Sequence, residues 1–233
     1  MTAHLWIGNR NYSSWSLRAW LCLTWAGIEF TESLIDLDQP GYGERLIADV
    51  LAVSPTGQVP ALKLGTETVC DTLAIAEWAA ESSAGPPLLA QERLTRAQMR
   101  SVIGEMHSGF TALRRELPMN IQRRCTAYGL SPQALADIRR IDSLWSALRS
   151  RYRVQGDYLF GKRSLADAFY LPVATRMRTY GFALSPAAAQ YQDLVLGDPA
   201  FLKWEQQALA EPRKPFSRAN IDTLYPTAAR HAA

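Results

Sequence analysis

The run SPTGQVPALKLGTETVCDTLAIAEWAAE, Ser54 to Glu81, decides the fold. Within it, QVPALKLG and ETVC are two strand-like stretches parted by Gly65-Thr66, a turn pair that folds them into a hairpin. DTLAIAEWAAE then takes up helical spacing, with Asp71 or Thr72 placed to cap it. Pro60 is awkward in the first strand because it cannot donate a ladder hydrogen bond. A cis Val59-Pro60 bond at the strand's beginning resolves this and leaves the N–H and C=O of Val59 open to a ligand. A trans proline at an edge or bulge resolves it too, and local physics favours that form, since only about 5–6% of X-Pro bonds in folded proteins are cis.

Upstream, the apolar stretch His4 to Ile7 ends in the turn signal GNRN and reads as a strand. SLRAWLCLTWAG follows as a helix closed by Gly27, FTESLIDL alternates as a strand from Phe30, DQPGYG breaks it, and ERLIADVLA has the pattern of a short helix. Up to Glu81 the order is therefore β-α-β-α-β-β-α. Downstream, SSAGPPLLAQE (82–92) has linker composition, and only helical patterns follow it. LTRAQMRSVIGEMHSGFTALRREL reads as one helix running to Pro118, and Pro132 opens a second in a first-turn position. SLADAFYLPVATRMRTYG and PAFLKWEQQALAE complete the set, the former opened by a Ser164/Asp167 capping box whose role is structural. The expected organisation is a small α/β domain (1–81), a linker (82–92) and an all-helical domain (93–233).

The chain has 233 residues, 48% of them hydrophobic, which suffices for packed cores. No window approaches the ~20 apolar residues of a membrane span, and three distant cysteines suit reduced thiols, so a soluble cytoplasmic protein is expected. A net charge of +3 hides an asymmetry: residues 1–92 carry 4 basic and 11 acidic side chains, residues 93–233 carry 21 and 11. Serine hydrolase chemistry lacks a G-x-S-x-G elbow, and of His4, His107 and His231 only His107 could serve as its base. Dithiol redox chemistry lacks its C-x-x-C pair, and no His/Cys cluster suggests a metal.

The tetrad Ser13-Ser14-Trp15-Ser16 sets three hydroxyls at the start of the first helix, where capping is their ordinary use. This tetrad, the S-P-x-G-x-V-P-x-L segment, the Asp71-Thr72 helix start and the S-x-A-D of the helical half occur in one order over residues 4–210. Together they resemble the glutathione transferase superfamily, in which a thioredoxin-like α/β N-terminal domain precedes an all-α C-terminal domain. SSWSLR looks most like the serine-type, zeta-class pattern S-S-C-S-x-R, with Trp15 in place of the cysteine.

The resemblance implies glutathione as co-substrate and no metal. It makes Ser13 the donor to the glutathione sulfur, with Ser14 and Ser16 as alternates and capping the expected role of Ser16. It also implies a cis Pro60, Val59 pairing its backbone with the cysteinyl unit, Gln58 beside it, and Asp71 with Thr72 holding the γ-glutamyl end. Arg45 is a positional guess for the glycyl carboxylate. The acceptor, a small and largely apolar electrophile to be conjugated, isomerised or reduced, would lie between the domains near Tyr12, Met106, His107, Phe110 and Tyr180, though each could equally be core. A homodimer is the family expectation. The arginine that zeta enzymes carry after the equivalent of Pro172 falls on Thr179 here, with Arg176 and Arg178 nearby but unmatched, which points away from maleylacetoacetate isomerase activity. The rival is a non-catalytic interaction module using the basic segment 93–153, with 12 basic and 4 acidic residues. No nucleic-acid motif accompanies that segment, and the enzyme reading is preferred.

Overall fold

The computed structural model describes residues 2–212 and 214–226. Residues 227–233, including His231 and the end of the expected second domain, lie outside the described residues.

A four-stranded sheet is built from β1 (Ala3–Gly8), β2 (Phe30–Ile35), β3 (Ala61–Leu64) and β4 (Glu67–Cys70), in the order β2-β1-β3-β4. Strand β1 runs parallel to β2 and antiparallel to β3, with Ala3 opposite both Phe30 and Leu64. The parallel pair needs a crossover, which α1 (Ser14–Trp25) supplies; the β3/β4 pair needs only the Gly65-Thr66 turn. Ala3, Leu5 and Ile7 alternate on the buried face of β1, as a period-two strand with one core side demands.

Helix α1 is buried nearly all round because it is packed on both sides. Leu17, Leu21 and Leu23 are inaccessible, and the helix meets α3 (Thr72–Glu81) on one side and α7 (Leu165–Thr179) and α9 (Pro199–Ala210) on the other. The hydrophobic core is therefore continuous from the sheet into the helical region. That places the first turn of α1 at the meeting of the two halves.

The short helix expected in ERLIADVLA shrinks to α2 (Ala48–Leu51). The single helix expected up to Pro118 is two, α4 (Arg93–Ser108) and α5 (Thr111–Glu116). Phe110 adopts a left-handed conformation with φ 54°, and the ring it buries at the break explains why a non-glycine residue is held there. Helix α6 (Pro132–Tyr152) begins at its first-turn proline as expected. Helix α8 (Pro186–Leu196) was not expected, although Pro186 at its first turn and Gly197 at its end mark it.

After α9 the chain returns toward the sheet. The Glu211 carboxylate accepts from the backbone N–H of Arg10 at 3.0 Å, and Asp38 accepts from Ser217 N at 3.0 Å and Arg218 N at 3.1 Å. Residues 214–226 thus form a strap between the helical half and the loop after β2.

Candidate active site

A cavity of about 530 Å³ opens where α1 begins. Ser13, Ser14 and Trp15 line one side, Arg45, Gln58 and Val59 a second, and Arg114, Arg176 and Phe216 a third.

Each side follows from local structure. Ser13 is the N-cap of α1: its Oγ accepts from Ser16 N at 3.3 Å and donates to Ser16 Oγ at 2.7 Å. Ser16 is fully buried, and its Oγ accepts from Gly8 N at 3.0 Å. Ser14 Oγ accepts from Arg176 Nη2 at 3.3 Å. The Val59-Pro60 bond is cis, against the local preference for trans, and Val59 stands just outside the strand registers of β3. Gly57 (φ 65°) must be glycine, since a Cβ there would sit 2.2 Å from the Arg45 carbonyl oxygen; this close approach brings Arg45 beside Gln58.

Asp71 is the N-cap of α3, its Oδ1 accepting from Leu73 N at 2.7 Å and Ala74 N at 3.3 Å, on a backbone with φ 86°. Its Oδ2 stays exposed and faces His107 Nε2 at 3.4 Å. Thr72 is buried and donates to the Trp15 carbonyl at 3.3 Å, tying the start of α3 to the serine tetrad.

Of the expected acceptor residues, only Tyr12 lines the cavity. Met106 and Phe110 are core side chains, and Tyr180 is buried with its hydroxyl donating to the Pro118 carbonyl at 2.7 Å. His107 packs edge-on against Trp15 and faces Asp71, at the boundary between the two halves rather than in the cavity lining. Tyr12 does not offer its proton to the cavity: it donates to Asp222 at 2.9 Å, and burial followed by that carboxylate pushes its pKa well above the ordinary tyrosine value. The phenol is therefore an apolar wall with a committed hydroxyl.

Other lining residues had weak or no sequence signals. Phe216, on the strap, packs edge-on between Tyr12 and Tyr42, and Asp222 accepts from its backbone N–H at 2.8 Å. Arg114 belongs to an Arg-Arg pair of which only one member turns inward; its neighbour Arg115 is 73% exposed. Arg176 lies three residues before Thr179 on α7 and so faces the same way one turn earlier.

Three arginines surround Trp15. The Arg18 and Arg114 guanidinium carbons stand 4.8 and 4.7 Å from its ring centroid, and Arg176 reaches Ser14 next to it. Their hydrogen bonds go to neutral groups: Arg18 to the Phe169 carbonyl at 2.9 Å, Arg114 to those of Gly109 and Met106, and Arg176 to those of Leu117 at 2.8 Å and Pro172 at 3.0 Å. None of the three forms an ion pair among the described residues. Burial, then repulsion from Arg114, lowers the Arg176 pKa to about 9, which leaves it cationic at neutral pH. Two of these cations line the cavity without a counter-ion, an arrangement that favours an anion entering it. Among the described residues no group of three or more His, Cys, Asp or Glu could hold a metal, and no helix is long and apolar enough to cross a membrane.

Comparison with known proteins gives this geometry its context. Residues 12–82 match the family model described as "Glutathione S-transferase, N-terminal domain". A maleylacetoacetate isomerase of Pseudomonas aeruginosa is 28% identical over 200 residues, 82% of this chain and 90% of that protein. One of Rattus norvegicus is 28% identical over 217 residues, 92% of this chain and 94% of that protein. Among solved structures, a holo maleyl pyruvate isomerase described as a bacterial zeta-class glutathione S-transferase aligns with a TM-score of 0.68 at 20% identity, over 91% of this chain and 99% of that one. A glutathione transferase homolog from Burkholderia with bound glutathione aligns at 0.67 and 21% identity, over 91% of this chain and all of the other. At these identities the structures speak for the thioredoxin-like sheet and the helical half that follows it, while the family match spans the serine tetrad and the cis-proline segment. Residues 12–82 thus carry a glutathione S-transferase N-terminal domain, and the chain is similar over most of its length to maleylacetoacetate isomerases and in fold to a zeta-class glutathione S-transferase.

Proposed function

We propose that the cavity holds glutathione with its sulfur at the Ser13 hydroxyl, and that the chain is a glutathione-dependent enzyme whose acceptor is a small electrophile carrying a carboxylate. The observation that carries this reading is the shared cavity: a capped helix N-terminus with two hydroxyls on one side and two uncompensated arginines on another. In this arrangement the Val59 backbone pairs with the cysteinyl unit, Gln58 lies beside it, and Arg45 takes the glycyl carboxylate. Asp71 Oδ2 receives the γ-glutamyl ammonium, with Thr72 fixing that corner against Trp15.

The energetics are sufficient. A thiol with a pKa of about 8.5 is about 3% ionised at neutral pH, and lowering it by about two units takes roughly 2.7 kcal/mol. A hydrogen bond to a charged group contributes about 1.5–3 kcal/mol and a helix N-terminus about 0.3–1. One serine and the end of α1 supply this, and the serine stays protonated throughout.

The largely apolar acceptor expected from sequence gives way here to an acidic one, because Arg114 and Arg176 line the pocket. The missing arginine at Thr179 loses its weight as an argument against isomerisation, since Arg176 presents a guanidinium from the preceding turn. The relatives are named as isomerases, and a glutathione-dependent cis-trans isomerisation fits such a site. The thiolate adds to a conjugated double bond, the former double bond rotates as a single bond, and expulsion of the same thiolate restores the alkene. A cytoplasmic homodimer completes the proposal, supported by three free cysteines and by family precedent.

The test is a thermal melt with glutathione followed by turnover of maleylacetoacetate or a similar cis-enone acid. Binding at about 100 times Kd stabilises the protein by about 2.7 kcal/mol. No shift at millimolar glutathione would contradict the proposal.

A further inference from the structure

The Ser13–Ser16 pair leaves one donor without a partner. Ser16 Oγ accepts twice, from Gly8 N at 3.0 Å and from the Ser13 hydroxyl at 2.7 Å, and Ser16 has no solvent exposure. Its own hydroxyl proton then finds no acceptor among the described residues, although buried donors are almost always paired. If both hydroxyls rotate, the account closes. Gly8 N–H still donates to Ser16 Oγ, the Ser16 hydroxyl and backbone N–H both donate to Ser13 Oγ, and the Ser13 proton is released toward the cavity. Gly8 makes this packing feasible: a Cβ at its position would lie 3.3 Å from Ser13 Cβ and 2.4 Å from the Leu37 side chain.

We infer that Ser16 is a positioning residue for the reaction, whose buried hydroxyl turns Ser13 from a donor to Ser16 into a donor to the glutathione sulfur. Capping by Ser16 was the expectation from sequence; instead Ser13 is the cap and Ser16 stands behind it. The inference rests on the proposed binding of glutathione at Ser13. No proton is transferred along the chain. The two hydroxyls reorient, the thiol proton leaves to water, and the run Gly8 N–H to Ser16 to Ser13 to sulfur gains strength because each donor polarises the next.

The experiment titrates the ultraviolet thiolate band of glutathione bound to the wild-type protein and to Ser16→Ala, Ser16→Cys and Ser16→Thr. Loss of the hydroxyl in Ser16→Ala is expected to raise the bound thiol pKa by about one unit and to cut kcat/KM at neutral pH by about threefold, as the bound thiolate fraction falls from roughly three quarters to one quarter. The KM for glutathione should hardly change. Ser16→Thr, which keeps the hydroxyl, should restore both values toward wild type. Because Ser16→Ala orphans Gly8 N–H and can impair folding, Ser16→Cys, similar in size with a weak donor, gives the same reading independently. A folded Ser16→Ala or Ser16→Cys protein that binds glutathione with the wild-type thiol pKa overturns the inference while leaving the proposed function intact. Wild-type protein that binds no glutathione overturns both.

Discussion

Arg176 reaches Ser14 from the far side of the molecule in sequence: its Nη2, on α7, donates to the Ser14 hydroxyl at the first turn of α1 across 3.3 Å. The contact joins the helical half to Ser14, the neighbour of Ser13, the proposed donor to the glutathione sulfur. It also fixes a buried cation whose other partners are two carbonyl oxygens.

That placement makes the acceptor's charge testable. Arg114→Met should lower kcat/KM for carboxylate-bearing acceptors by about tenfold to a hundredfold, the range of one hydrogen bond to a charged group. A neutral electrophile such as a halonitrobenzene should be affected far less. Arg176→Lys keeps the charge and loses the planar fork that spans Ser14 and two carbonyls, so it should share the defect. Equal losses for acidic and neutral acceptors would remove the case for a carboxylate.

Asp71 caps α3 and is the proposed partner of the γ-glutamyl ammonium, two roles that substitution can separate. Asp71→Asn keeps a side-chain oxygen for Leu73 N and Ala74 N and tolerates the positive φ as Asp does, but it lacks the negative charge that Oδ2 presents beside His107. It should raise the KM for glutathione severalfold with little change in melting temperature. Asp71→Ala loses the cap as well and should cost about 1 kcal/mol of stability, read from denaturant unfolding.

Asp167 predicts how stability follows pH. Its buried carboxylate accepts from Leu159 N, Ser164 N, Ser164 Oγ and the Tyr191 hydroxyl, and burial outweighs these bonds to push its pKa from 3.8 up to about 6. The folded state then binds this proton more tightly than the unfolded state. Its contribution to stability is full below about pH 4 and declines as pH rises to about 6, where it levels off. Asp167→Asn should flatten that slope in melts across the window. It should also cost about 1–3 kcal/mol at neutral pH, because the new amide faces two donors. Turnover per folded molecule should be unchanged.

Much of the fold was legible because its signals are local. Gly65-Thr66 marks the hairpin, Asp71 caps α3, Ser164 and Asp167 form their box, and Gly27 ends α1 with φ 69°. The break at Gly109-Phe110 was not legible, since a left-handed phenylalanine is held by the ring it buries and not by its neighbours in sequence. That break also hid Arg114: without it the helix phase of residues 111–116 is wrong, and the inward member of the Arg-Arg pair cannot be chosen. Phe216 carries no periodic signal and enters the cavity only because Asp38 and Asp222 hold the strap. Cys22, Trp25 and the other residues deep in α1 show why Met106 and Phe110 were plausible for the pocket: helical spacing alone cannot tell a core face from a lining one.

The central claim is that a neutral serine at the start of α1 makes the glutathione sulfur anionic. It is tested most directly by titrating the thiol of bound glutathione in the wild-type protein and in Ser13→Ala. The account predicts a bound thiolate at neutral pH in the wild type and a return to nearly the free-thiol pKa in Ser13→Ala, with the tripeptide still bound. A wild-type complex whose thiol ionises like free glutathione, or a Ser13→Ala complex that keeps the thiolate, would contradict it.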